Sequence, residues 1–308
     1  MTIREGGCVK RVIFDCDNTM GIPGRDVDDG LALLYLLGRD DIDVVGVTTT
    51  HGNSTIQDVS RATSMLRDDL RLDIPVFTGA GSPSDVDTEA ARFLVDKARE
   101  LDGKLTVLAT GSMTNLKAAQ RLDPGFLARV NQIVIMGGVV RPLIVCGKPM
   151  AELNFACDPE AAHLVLQAPV PVMVAESHLC LPAFFGEAEW GRLCGTQSAL
   201  FSYVCRKIER WYHGMGGFCM WDLVAALFVT APELYESRLW VLESTIDDLK
   251  TGLLRLKPAD RGSGTDQSTP GIIDLPDCIR DLDEFKSNVF EAWKKAAQRV
   301  QVQDVVGR

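Results

Sequence analysis

The chain has 308 residues, a formal charge of −10 and 46% hydrophobic residues, enough for a sizeable core but with no run of about eighteen apolar residues that would span a membrane. No basic stripe offsets the acidic total, so nucleic acid is not an expected partner, and a neutral or cationic small molecule or a metal ion suits the balance better. The nine cysteines form no CxxC pair and MTIREGGCVKRVIF lacks a secretory signal, so free thiols and a cytoplasmic location are expected.

Short β-rich runs alternate with helical ones along the chain. VKRVIFDCD reads as a strand and DDGLALLYLLGRD as a buried helix ending near Gly38. IDVVGVTTT is a second strand and TIQDVSRATSMLRDDL an amphipathic helix. IPVFTG, KLTVLATG, QIVIMGG and VPVMVAES continue as strands, with TEAARFLVDKAREL and DPEAAHLVLQA as helices among them. This alternation predicts βαβ units and a parallel sheet, and the nearly continuous apolar strands predict cover on both faces. Beyond about residue 180 the chain turns helical, through GEAEWGRLCG, SALFSYVCRKIERWY and WDLVAALFVTAPELY. A hairpin from LWVLES to TGLLRLKP, a polar surface loop in ADRGSGTDQSTPG and a last helix in DLDEFKSNVFEAWKKAAQRV follow. The expected architecture is one α/β domain over residues 1–308. Its core is an open, mostly parallel sheet with helices on both faces, over about residues 10–180, with helical and hairpin additions over 181–308.

Residues 14–31, FDCDNTMGIPGRDVDDGL, crowd acids where a strand should hand over to a helix. Side chains alternate along a strand, so Asp15 and Asp17 are expected on one side of its carboxyl end. Asp28 and Asp29 fall at the start of the next helix, where capping and the helix dipole account for one acid or two. Four carboxylates exceed that account. Ligands of open α/β sheets bind outside the carboxyl ends of the strands, and more polar residues recur at this edge: Asn53 in THGN, Thr110 in ATGSMTN, Glu152 and Asn154 in AELNF. Oxygen ligands suit a hard cation such as calcium, with magnesium second, and argue against zinc. His51, His163, His178 and His213 show no ligand spacing and are expected on the surface or satisfied in the core.

Several stations in order carry a resemblance. Asp15-Cys16-Asp17, then Asp28-Asp29-GLALL, TTTHGN, ATGSMTNL, IMGG, AELNFACDPEAA and MWDLVAALFVTAPEL are together similar to the nucleoside hydrolases of the inosine-uridine-preferring type. AELNFACDPEAA is the most specific of them. The resemblance implies a Rossmann-like core and a calcium-dependent hydrolase of ribonucleosides, assembled as a homodimer or homotetramer. By that analogy Asp17, Asp29, the carbonyl of Thr110 and Asp222 hold the ion, and Asp17 takes a proton from the attacking water. Asp28, Asn53, Glu152, Asn154 and Asp222 grip the ribose, and Met136 lines the pocket. This sequence departs from the family pattern in four places. NTMGIPGRDV enlarges the first loop and brings in Asp26 as a rival acid. Cys146 stands in the register of an Asn. A His-Gly loop near the third strand is missing. Trp221 replaces a His before Asp222, and it is expected to stack on the leaving base.

Two further readings compete. FDCDNT also resembles the first motif of haloacid-dehalogenase-type phosphatases. That reading makes Asp15 the nucleophile, Thr110 or Ser112 the phosphate ligand and Lys117 or Lys148 the neutralising lysine, but the Asp pair comes too early for it. The other is a catalytically silent nucleoside-binding protein of the same fold, supported by the enlarged loop and the missing His loop.

Overall fold

The computed structural model describes residues 9–259 and 266–303. The N-terminal segment before Val9 and the middle of the ADRGSGTDQSTPG loop lie outside the described residues. In chain order the strands are β1 (Lys10–Cys16), β2 (Ile42–Thr49), β3 (Val76–Thr78), β4 (Leu105–Ala109), β5 (Val130–Met136), β6 (Leu143–Val145) and β7 (Lys148–Met150). They continue with β8 (Val172–Ala175), β9 (Phe184–Phe185), β10 (Phe218–Cys219), β11 (Leu239–Leu242), β12 (Leu256–Pro258) and β13 (Ile272–Asp274). Nine of them form one sheet in the order β12-β11-β13-β8-β5-β4-β1-β2-β3. Only β11 runs against the rest. The other four make two small antiparallel ribbons, β6–β7 and β9–β10.

Alternation along the strands sorts side chains onto two faces. Val12, Phe14 and Cys16 of β1, with Val134 and Met136 of β5, enter one core, together with helices Asp28–Leu37, Trp221–Thr230 and Leu282–Arg299. Ile13, Ile133 and Ile135 enter the other, with helices Glu89–Leu101, Thr114–Leu122 and Pro159–Leu166. Both faces are covered, so the strands are apolar throughout. The expected open, mostly parallel sheet is present. Helix Asp28–Leu37 ends at Gly38, where a Cβ would collide with the carbonyl oxygen of Ala292, so glycine lets the last helix cross close by.

Three local features depart from the sequence reading. The ATGSMTNL segment, where the sequence reading places no helix, runs into the helix Thr114–Leu122. The predicted hairpin pairs as β11 with β12, but the three-residue β13 wedges between β11 and β8. Cys194 and Cys205 form a disulfide between helices Glu187–Gly195 and Ala199–Met215, so the thiols are not all free. Only residues 196–198 join those helices, and the two Cα atoms lie 6.1 Å apart. No helix among the described residues is long and apolar enough to cross a membrane.

Candidate active site

β1 stops at Cys16, leaving Asp17 just beyond its carboxyl end, while Asp28 and Asp29 occupy the first turn of the following helix. Asp222 sits in the first turn of helix Trp221–Thr230. Two helix N-termini therefore aim acids at one place, where their dipoles favour negative charge. Asp28, Asp29 and Asp222 each bring a carboxylate oxygen within 4.8 Å of the other two. Hydrogen bonds fix each one. The Asp222 N–H donates to Asp28 Oδ2 at 3.1 Å, and Thr110 Oγ1 donates to Asp29 Oδ1 at 2.7 Å. Asp17 accepts from the Asn53 N–H at 2.6 Å and from Asn53 Nδ2 at 3.0 Å. Gly52 is pressed so close that a Cβ would strike Asp17 Oδ2.

Burial pushes these carboxyls up: Asp17 and Asp28 to about 6, and Asp29 and Asp222 well above the ordinary carboxylate value, with neighbouring aspartates adding repulsion at Asp17, Asp29 and Asp222. Asp26, partly buried, is raised in the same way by burial and by Asp28. Among the described residues no Lys, Arg or His pairs with any of the five. Ionised together and dry, they repel strongly unless a cation is added. The converging atoms are all oxygens, which is the donor set of a hard divalent ion. The residues present fit such an ion.

Beside this cluster opens a small cavity of about 80 Å³. Eight of the ten residues singled out in the sequence line it: Asp28, Asn53, Thr110, Met136, Glu152, Asn154, Trp221 and Asp222. Asp17 and Asp29 lie behind that wall, joined to it through Asn53 and Thr110. Asn154 Nδ2 donates to the carbonyls of Thr110 at 2.9 Å and Met136 at 3.0 Å, fixing the turn that presents Thr110. Glu152 is differently engaged. Its two oxygens accept the N–H groups of Gly138, Phe155 and Ala156 at 3.1, 2.9 and 3.0 Å, which holds the chain entering the short helix Asn154–Cys157.

The sequence reading missed the ribbon. Leu143 and Met150 of β6–β7, with Ala151 and Leu153, supply an apolar wall. Its signal was present in LIVCGKPM, where Cys146 and Gly147 both take positive φ, 49° and 76°, the geometry of a two-residue hairpin turn. The first part of the enlarged loop is tied into the fold. Asn18, Thr19 and Met20 are buried, Asn18 Nδ2 reaches Thr63 Oγ1 at 3.3 Å, and Thr19 Oγ1 donates to the Asp26 carbonyl at 2.8 Å. Asp26 thereby joins the cavity wall. The histidines are not all satisfied: Nε2 of His51 and of His178 is buried without a partner.

Against known proteins, the family model described as inosine-uridine preferring nucleoside hydrolase matches residues 12–269. The chain belongs to that family. It is an N-ribosyl hydrolase, acting on the N-glycosidic bond of ribonucleosides. Relatives of this nucleoside hydrolase include uridine nucleosidase 1 of Arabidopsis thaliana, 29% identical over 73% of this chain and 75% of that protein. A pyrimidine-specific ribonucleoside hydrolase of Shigella flexneri is 25% identical over 73% and 79%. Among solved structures, a plant nucleoside hydrolase shares the fold with a TM-score of 0.79 at 23% identity, covering 92% of this chain and 99% of that one. A purine-preferring ribonucleoside hydrolase from Gardnerella vaginalis does so with 0.78 at 19%, covering 94% and 100%. The phosphatase reading is not supported. Of its two candidate lysines, Lys117 is buried and ion-paired with Asp158 at 2.6 Å and Lys148 is exposed on β7, and Asp15, its nucleophile, is held by Thr48 and Asn115 and does not line the cavity.

Proposed function

We propose that this nucleoside hydrolase works with one bound calcium ion, held by Asp29, Asp222, Asp17 and the carbonyl of Thr110, with Asp28 close enough to share the task. The observation that carries the reading is the convergence of buried carboxylates that no side-chain cation among the described residues neutralises. When bound, the ion supplies the positive charge that makes water nucleophilic near neutral pH. Asp17, oriented by two donors from Asn53, takes the proton that this water loses as it attacks the anomeric carbon. The sugar passes through an oxocarbenium-like state, and the surrounding carboxylates stabilise its positive charge. Asp28, Asn53, Asn154 and Asp222 bind ribose hydroxyls and fix the sugar, with Glu152 beside them. Met136 lines the pocket under the ring, and Trp221 forms the wall facing the leaving base. Strands from residues 10–175 and 239–274 share one sheet, which supports a single domain.

The test is release of ribose from uridine, inosine and p-nitrophenyl riboside by the purified chain, with calcium and with chelator. Asp17→Asn should lower kcat by roughly 10³-fold, as loss of a positioned base does, while the melting temperature holds or rises. Activity that persists in Asp17→Asn, or in excess chelator, would refute the assignment.

A further inference from the structure

Among the described residues, the cavity wall contains no His, Lys, Arg, Tyr or Cys. Its hydroxyls and amides are already committed inward: Thr110 Oγ1 to Asp29, Ser177 Oγ to the Gly138 carbonyl, Asn53 to Asp17, and Asn154 to two carbonyls. Glu152 accepts three backbone N–H groups, which partly offset the upward push of burial on its carboxyl. What faces a ligand is therefore acceptor-rich and anionic. Four carboxylates, Asp26, Asp28, Glu152 and Asp222, line the cavity, and Asp17 and Asp29 stand directly behind them. One divalent ion brings two positive charges against these six carboxyls. The remaining wall is the ring of Trp221 with Met136, Met150, Leu143 and Leu153. A π face and thioether sulfurs are favourable neighbours for a flat cationic ring.

A neutral nucleoside loses a poor, anionic base unless a proton is supplied as the bond breaks, and among the described residues this wall offers only carboxyls for that, which a bound divalent ion would keep ionised. We propose that the site prefers N-ribosides whose glycosidic nitrogen is already cationic, of the ribosylpyridinium class, over neutral nucleosides. This rests on the assignment of the cavity as an N-ribosyl hydrolase site. The step balances without an acid. The C1′–N bond breaks with its electron pair passing to the ring nitrogen, which leaves as a neutral pyridine. Water oxygen bonds to C1′, and the proton it loses passes to Asp17 and then to solvent. Ribose, pyridine and one proton are the products.

The experiment compares kcat/KM of the calcium-loaded enzyme on nicotinamide riboside, uridine, inosine and p-nitrophenyl riboside, a neutral substrate whose leaving group departs unaided. The expected result is at least about 100-fold higher kcat/KM on nicotinamide riboside than on uridine or inosine, matching an acid-catalytic contribution that the enzyme lacks. Added salt should reduce kcat/KM on the cationic substrate more than on p-nitrophenyl riboside, because only the former is drawn in by the carboxylates. Asp26→Asn should lower the ratio of those two values about 5- to 10-fold, the effect of one charge a few ångströms away in partly solvated surroundings. Uridine or inosine cleaved as well as nicotinamide riboside would overturn the proposal and leave the hydrolase assignment standing. So would an Asp26→Asn enzyme that loses uridine cleavage yet keeps p-nitrophenyl riboside, since Asp26 would then be the proton donor. No cleavage of any of the four would overturn the assignment itself.

Discussion

Asp15 and Asp17 stand two residues apart and do opposite things. Asp15 is fully buried, with Oδ1 accepting from Thr48 Oγ1 and from Asn115 Nδ2 at 2.7 Å and with Oδ2 unpartnered. Burial pushes its carboxyl up to about 7. A raised folded value means that Asp15 contributes stability below its ordinary value near 3.8 and that the contribution is lost as pH rises through about 7. Asp15→Asn keeps the accepting oxygen and removes the charge, so it should raise the melting temperature at pH 8 and leave it nearly unchanged at pH 4. Calorimetry at the two pH values checks this, and a variant less stable at pH 8 would show that the charge is needed. The sequence revealed that both acids sit at a strand end. It did not reveal their separation, because strand alternation holds only to Cys16 and the chain then turns, carrying Asp17 to Asn53. Trp221 was legible as a pocket residue from its place before Asp222, and it lines the cavity. Stacking contributes roughly 1–3 kcal/mol, so Trp221→Ala should cost far more on a heterocyclic riboside than on p-nitrophenyl riboside. Equal losses together with a lower melting temperature would make Trp221 a packing residue.

The elements divide between those that order the core and those that shape the mouth of the site. Every long helix expected from periodicity is present, because an apolar stripe against a sheet is a local property of the sequence. The short pieces were not legible. β13 is three residues long and owes its place to β8 and β11, far away in the chain, and helix Thr114–Leu122 begins without a side-chain cap. The loop ahead of Asp28 mixes both kinds of behaviour. Its first half is pinned through Asn18 and Met20, and only Gly21–Arg25 is largely exposed. Replacing Gly21–Arg25 with a two-residue turn should therefore spare the fold but displace Asp26, which Thr19 holds through its carbonyl, and raise KM severalfold with a smaller change in kcat. Kinetics unaltered by the deletion would mark the loop as a passive insertion. Replacing the β6–β7 ribbon with a short turn removes Leu143 and Met150 from the wall and should weaken binding of aromatic leaving groups in particular.

At the scale of the whole molecule, the site is a local instability built into a well-packed sheet. Five aspartates converge from β1's end, the enlarged loop and two helix starts, and burial raises each of them. Without an ion the fold must either protonate them or bear their repulsion. Asp17 and Asp28 rise from 3.8 to about 6. Their contribution is therefore complete below about 4 and is lost as pH climbs through about 6, so the metal-free protein should lose stability across that window. Calcium reverses the sign, since it binds the ionised carboxylates and competes with protons for them. The melting-temperature difference between calcium-loaded and chelator-treated protein should thus be small at pH 5 and reach several degrees at pH 8, growing with ion concentration as binding to the native state alone requires. Asp29→Ala should abolish the calcium-dependent part at both pH values and, by removing one repelling charge, make the metal-free protein more stable at pH 8. A calcium effect that is independent of pH, or that survives in Asp29→Ala, would place the ion somewhere other than among these carboxylates. Magnesium in place of calcium should give a smaller shift, because it demands a stricter octahedral shell than this crowded set of carboxylates offers.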